Sequence, residues 1–418
     1  MLKRDDTIAP ASVATHLIVS EVGCSGSPLV ASVPRHSLRR LWLNLHLYLG
    51  LFGGALFVLI SLTGSFLVFY KAIDEWLNPT QLTTNGSGPY KPLNEVVVAA
   101  QSAAPAGGWL DSVELPSHER EVFKAWHKVP TDKLDQFRWY QVTIDPYTGT
   151  VLSGGREWGG YLVSFIYELH ESLLLDDLGE TIVGFVAIFL LVSIGTGLYL
   201  WWPRPGRFRR AFTFARNGSA IRRHYDWHKL SGLCGAIVLG MLAFTGVYLE
   251  FSDYVVPVVR IFSPVREFPE GQALQSIPLA GVKPLSVEQA VSLAKEVFPN
   301  AMPRYVGVPH GDTGVYHVTL RQPGEVGESN GQSQVWLDQY SGKTLRAHDW
   351  RQFTGGETFL AWLFPLHNGE ALGLIGRWIV FFVGFFPLVL YVTALRMWWL
   401  KRAAHRRQRV RPTPELSG

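Results

Sequence analysis

His46, His170, His228 and His367 are the residues whose type and placement could support metal or redox chemistry in this 418-residue chain. Each stands at the edge of a long apolar stretch, where an ionisable side chain marks function by default. The chain repeats itself, and the repeat sorts the four into pairs. At an offset of 182, His46 falls on His228, Gly50 on Gly232, Gly53 on Gly235 and Thr63-Gly64 on Thr245-Gly246. At an offset of 197, His170 falls on His367, Gly179 on Gly376 and Trp201-Trp202 on Trp398-Trp399. Parallel membrane repeats are related by an axis along the membrane normal. Each pair then lies at one depth on facing helices, the arrangement that holds one metal centre between helices of a bundle. Zinc would want further ligands at that depth, and the stretch around His46 offers none. A haem iron needs only two axial imidazoles and a flat apolar slot.

Glycines can supply such a slot. Gly50, Gly53 and Gly64 follow His46 by 4, 7 and 18 residues, on one face of a 3.6-residue helix. Gly232, Gly235 and Gly246 repeat that spacing after His228. The same glycines also fit small-residue helix packing. His224, one turn before His228 on the same face, is an alternative ligand, although the first half has Trp42 in its place.

The elements that must position these residues are apolar helices. A bilayer core needs about 20 apolar residues in helix, and four stretches provide them, at 41–70, 181–202, 228–251 and 374–400. Arg35, Arg39 and Arg40 precede the first, seven arginines lie between positions 204 and 223, and KRAAHRRQRVR follows the fourth. The positive-inside rule makes that face cytoplasmic, with both termini on it. Charged residues are only 17% of the chain and aromatic ones 13%, as alternating spans and polar domains require. Residues 1–34 carry no apolar run and read as a disordered tail. Two cysteines, Cys24 and Cys234, give no disulfide framework.

The order that results is tail (1–34), span (35–70), external domain (71–165), interfacial helix with span (166–202) and basic loop (203–227). The second half follows with span (228–251), external domain (252–360), interfacial helix with span (361–400) and basic tail (401–418). The interfacial helices answer a problem of length. His170 precedes Trp202 by 32 residues, about 48 Å of straight helix. DDLGE at 176–180 and NGEALGLIG at 368–376 carry the glycine and charge that break helices, so the histidine segments fold separately at the membrane edge. Each external segment reads as a small α+β domain. LSVEQAVSLAKEVF has helical spacing, and VTIDPYTGTVL repeats as VWLDQYSGKTL at an offset of 193, a strand turn. Trp109, Trp126, Trp139, Trp158, Trp336 and Trp350 are candidates for core or for the floor of a cleft between the domains; Lys124, Arg138 and Arg321 could draw an anionic ligand there. The expected fold class is a mainly α membrane protein, four transmembrane helices in two tandem repeats with two external α+β domains.

The tandem H-x3-G-x2-G … T-G, the D-x3-G strand turn and the L-H … G … W-W-x-[RK] closure resemble the PepSY-associated transmembrane family over about residues 35–402. That group is similar to inner-membrane ferrisiderophore reductases, and the external segments resemble PepSY domains. Ala394 stands where the first half has Gly197. The resemblance implies two b-type haems, an inner one on His46 and His228 and an outer one on His170 and His367. It also implies a bacterial inner membrane, periplasmic domains, and a ferric siderophore or similar chelate as electron acceptor. A cytoplasmic reductant or quinol is the expected donor, the bilayer the expected surroundings, and no nucleic-acid partner is expected. No dinucleotide or P-loop fingerprint is present. Two other readings compete: a non-redox regulator whose PepSY-like domains bind a peptide or peptidase, and a metal or haem transporter.

Overall fold

A computed structural model describes residues 35–133, 136–215, 217–266, 274–329 and 331–410. Among the described residues, four helical stretches are long and apolar enough to cross a membrane: Leu38–Leu67, Asp176–Trp201, Ala220–Glu250 and Glu370–Arg407. In hydrocarbon every backbone polar group must be satisfied within the segment, which leaves helix as the form for such runs. The first span is α1 (Arg35–Tyr48), a π-helical turn at Leu49–Gly53 and α2 (Gly54–Leu67). Short α3 (Tyr70–Leu77) and α4 (Pro79–Leu82) lead to the sheet, with α5 (Leu93–Ser102) upon it. Then come α6 (Leu162–Glu171), the second span α7 (Asp176–Trp201) and the loop helix α8 (Phe208–Ala211).

The second half repeats this with α9 (Ala220–Glu250), α10 (Ser252–Phe262), α11 (Val287–Val297), α12 (Gly355–His367), α13 (Gly373–Val383) and α14 (Phe386–Val410). Within halves α1 packs on α7 and α9 on α14; between halves α7 packs on α9 and α2 on α14. The last span kinks between α13 and α14. A side chain at Gly384 would overlap Ser65, and Ser65 Oγ instead donates to the Phe381 carbonyl at 3.0 Å. Inserted hydrogen bonds of this kind are an ordinary cause of helix kinks. The matching helices α3 and α10 leave Trp76, Ile261 and Phe262 exposed beside the span ends. Short amphipathic helices of this type lie along the interfacial layer.

The extramembrane strands are β1 (Trp109–Glu114), β2 (Phe123–Pro130), β3 (Phe137–Ile144), β4 (Val151–Glu157), β5 (Met302–Gly307), β6 (Val315–Arg321), β7 (Ser333–Asp338) and β8 (Thr344–His348). The sequence suggested two separate domains, and here the structure differs. The strands form one antiparallel sheet in the order β4-β3-β2-β1-β5-β6-β7-β8. Its halves meet where Val113 pairs with Val306 and Glu114 with Tyr305. Joining there pairs what would otherwise be two open edges. It also lets α5 and α11 close one shared core over Val96, Val113, Val142, Val306, Val318 and Leu337.

Both D-x3-G turns are built as the strand pattern implies. Asp145 accepts from the amides of Tyr147 and Thr148, and Asp338 from those of Tyr340 and Ser341. Gly149 (φ 72°) and Gly342 (φ 69°) take the left-handed conformation that closes each turn. The sheet face opposite the core looks toward the helices.

Candidate functional site

His46 and His228 face each other on the side of the bundle away from the sheet, with ring centroids 6.1 Å apart and planes at 88°. His46 Nδ1 lies 3.1 Å from both the Ser193 carbonyl and Thr196 Oγ1. His228 Nδ1 lies 3.0 Å from the Leu390 carbonyl and 3.1 Å from Thr393 Oγ1. Each hydroxyl proton is already engaged. Thr196 donates to the Ser193 carbonyl, and Thr393 to those of Val389 and Leu390. Nδ1 therefore faces only acceptors and must carry the proton. That assignment leaves Nε2 with a free lone pair, the form in which histidine binds metals.

The second pair repeats the device at the sheet side. His170 and His367 have ring centroids 6.2 Å apart and planes at 55°. His170 Nδ1 lies 2.9 Å from the Ile60 carbonyl and 3.1 Å from Thr63 Oγ1; His367 Nδ1 lies 2.8 Å from Thr245 Oγ1. Thr63 and Thr245 likewise donate to carbonyls of their own helices. All four imidazoles are thus held by a threonine and its helix, each within its own half, and each faces an imidazole of the other half. An imidazole bound through Nε2 at about 2 Å puts its ring centroid roughly 3 Å from the ion, so the separations of 6.1 and 6.2 Å fit one ion that the two rings of a pair would share.

Helix is interrupted between Glu171 and Asp176, with Leu173 (φ 52°) and Leu174 (φ 61°) in left-handed conformations. A Cβ at Gly179 would fall 1.5 Å from the Ser172 carbonyl oxygen, so only glycine permits this crossing. The fold-back lays α6 along α2 and brings His170 to Gly64. From His46 to the Ile60–Gly64 clasp is about 24 Å of helix, half the span that a straight α6–α7 rod would impose.

The glycines divide by role. Gly50 opens on free space, and Gly53 lies against Phe57 of its own helix, both within the π-helical turn that follows His46. Such turns often mark functional positions. Gly232 adjoins Leu390, and Gly235 sits so close to Phe386 (2.7 Å from a built Cβ) that it serves helix packing. The glycines that cradle histidines are others. A Cβ would meet the His170 ring at 2.8 Å from Gly64, the His46 ring at 3.1 Å from Gly197 and the His367 ring at 3.7 Å from Gly246. Sequence reasoning missed the threonines. Their signal was present in the repeated Thr63-Gly64 and Thr245-Gly246. His228, not His224, is the imidazole facing His46. Among the described residues no group of three or more His, Cys, Asp or Glu could hold a metal ion.

Outside the bundle, Lys124 is not a surface charge. It bridges Glu114 (3.2 Å) and Glu121 (3.0 Å) under the sheet. Burial opposes ionisation of Glu121, but Lys124 and Ser117 hold its carboxyl down at about 2. Arg138 pairs loosely with Glu157, and Arg321 donates to the Gly327 carbonyl. Trp126 meets Trp158 edge-on and Trp109 stacks on His310, while Trp336 lines a sizeable cavity.

Residues 43–401 match the family model for the PepSY-associated TM region. The chain belongs to that family and is a membrane protein with four helices fit to span a bilayer. No curated protein matches it.

Proposed function

We propose that this protein is a di-haem b oxidoreductase of a bacterial inner membrane. It would pass electrons outward to reduce a ferric chelate, a ferrisiderophore or similar complex, in the periplasm. The observation that carries this reading is the pair of facing imidazole sets, each with Nδ1 clasped and Nε2 free, at two depths in one bundle. His46 and His228 would hold one haem, and His170 and His367 the other. When bound, such haems exchange single electrons between the two faces of the membrane.

The chain's own part is positional. Thr63, Thr196, Thr245 and Thr393 hold the imidazoles in the ligating tautomer and raise their basicity, the second-shell role usual around metal-bound histidine. Gly64, Gly197 and Gly246 let the rings lie against the helices, and the apolar spans keep water from the imidazoles. The basic loop side faces the cytoplasm by the positive-inside rule, which places the donor, a reductant or quinol, there. The sheet then stands in the periplasm, beside the His170–His367 pair. Reduction loosens the acceptor because Fe(II) binds hard oxygen ligands less tightly than Fe(III), so iron leaves without hydrolysis of the chelator.

The test is the absorption spectrum of the detergent-purified protein before and after dithionite. A Soret band with sharp reduced α and β bands, at two haems per chain, is the expected result. Colourless protein from haem-replete cells would overturn the proposal.

A further inference from the structure

A cavity of about 600 Å³ lies between the second half of the sheet and α12, within the usual roughly 300–1,000 Å³ of small-molecule sites. The matching place in the first half is taken up by long side chains, as the repeat shows. By strand register, Lys124 opposite Thr143 corresponds to His317 opposite Trp336, and Gln141 opposite Arg156 to Gln334 opposite His348. In the first half the two long cations fill the space beneath the sheet. Lys124 reaches Glu114 and Glu121, while Arg156 reaches Asp74 at 2.8 Å and lies 3.8 Å over the Tyr161 ring. In the second half imidazoles replace both cations, and the space is hollow.

The hollow is built, not merely left over. His317 lies flat on Trp336 (4.6 Å, 5°) with Nε2 3.0 Å from Gln334 Oε1, and His348 stacks on Phe353 at 4.5 Å. Burial lowers the pKa of His317, and burial with Arg266 lowers that of His348 to about 4, so both rings are neutral near pH 7. The one charged pair is self-compensating: Arg266 bonds both oxygens of Glu357 at 2.7 Å. The walls therefore offer aromatic faces, imidazole and amide hydrogen-bonding groups, and no net charge. The cavity is partly open, so an anion entering would give up part of its hydration with no unpaired counter-charge in the walls to replace it, a net cost.

The cavity also stands near the sheet-side imidazoles. Ala361, on its wall, precedes His367 by six residues of α12, about 9 Å. Tyr248, also on its wall, follows the Thr245 clasp by three residues of α9, about 4.5 Å.

We propose that this cavity binds a compact, net-uncharged chelate rich in oxygen acceptors, and that it is the acceptor site of the protein. The binding claim stands on the cavity alone; the acceptor role rests on the redox reading above. Gallium(III) complexes separate the two, because they mimic ferric chelates in shape and charge but are not reduced. Titration calorimetry on the full-length protein should show one-to-one binding of an uncharged gallium tris-hydroxamate. A trianionic gallium tris-catecholate should bind at least tenfold more weakly. Ala361→Phe, which fills the cavity, should weaken the uncharged complex tenfold or more. Gln334→Glu, nearly isosteric, should weaken it severalfold while leaving the thermal midpoint close to wild type, which guards against loss by misfolding. Equal or tighter binding of the trianion would overturn the ligand class. Unchanged binding in both variants, or none in the parent, would overturn the site. Binding by a colourless protein would leave the site standing and sink the redox reading; haem without binding would do the reverse.

Discussion

Beneath the first half of the sheet, Lys124 and Arg156 are locked to Glu114, Glu121 and Asp74; beneath the second, His317 and His348 stand at the matching strand positions around a hollow. The bundle shows no such divergence. The threonine clasp occurs four times, and each repeat places the hydroxyl at the same offset from the carbonyl it shares. The difference teaches where the duplicated chain needs both copies alike. A centre shared across the two-fold axis, as proposed for the imidazole pairs, would require equal ligands from each half. A ligand site outside the membrane needs only one, and the other copy can be filled with ion pairs that stiffen the sheet.

The sharpest way to break that comparison is to remove one cation from the filled half. Lys124→Ala leaves Glu121 without its cationic partner under the sheet and Glu114 with Lys71 alone (3.3 Å), and removing one partner of a buried ion pair costs about 3–5 kcal/mol. His317→Ala, at the matching position, loses one stacked neutral ring and should cost roughly a third of that. Thermal unfolding followed by circular dichroism compares the two; equal losses would mean that the halves are braced alike. Next in size is a pair of glycine substitutions in the bundle. Gly64→Ala drives a methyl to 2.8 Å from the His170 ring, and overpacking of this kind costs about 1–3 kcal/mol. Gly246→Ala meets His367 at 3.7 Å, ordinary contact, and should be tolerated. On the redox reading proposed above, the first should also lower haem occupancy at the His170–His367 pair, read from reduced difference spectra, and the second should not.

Much of the bundle was legible in the sequence because helix spacing and repeat offsets carry it. A duplication that aligns His46 with His228 states that the two share a depth, and the structure brings the rings to 6.1 Å. The glycine reading went only part way. Periodicity places Gly50, Gly53 and Gly235 on the histidine face but cannot tell a ring cradle from a helix contact, and Gly235 proved to meet Phe386. The joined sheet was not legible, since nothing local to WLDSVE or MPRYVG states which edge strand lies beside which. The cavity was illegible for a related reason. It exists because Lys124 and Arg156 have no long-chain equivalents, and that comparison needs the strand register.

A smaller effect tests the four-fold clasp. Thr245→Val keeps shape but removes the hydroxyl that accepts from His367, leaving its Nδ1–H to the Leu242 carbonyl alone, and loss of one such hydrogen bond costs about 1 kcal/mol. Thr63→Val, Thr196→Val and Thr393→Val should each cost the same within error if the clasps are equivalent. One silent member would identify an imidazole that is held some other way.

The smallest expected effect is a difference in pH response between the two halves. His348, facing Arg266, Glu357 and Asp349, is held by burial and Arg266 near 4, below the ordinary 6.5. As pH falls below 6.5 the unfolded chain takes up a proton that the folded one refuses, so stability declines from 6.5 down to about 4 and is flat above. After solvent screening the slope should stay under about 1 kcal/mol per pH unit. Glu121 in the first half works in the other window. Its folded value, near 2, lies below the ordinary 4.5, so its contribution is complete above 4.5 and is lost only as pH falls toward 2. Glu357 in the second half has that same window, so it does not blur the contrast above pH 5. Amide exchange at pH 7.0 and 5.5, corrected for intrinsic rates, should therefore show β7 and β8 opening more readily at the lower pH. Burial also lowers the pKa of His127 in β2, so the first half has a response of its own with the same sign, and the discriminating variant is His348→Phe. Loosening of β7 and β8 that survives His348→Phe would show that His348 is not its source; loosening there that the substitution abolishes, with the response of β2 unchanged, would tie it to the ring in the cavity wall.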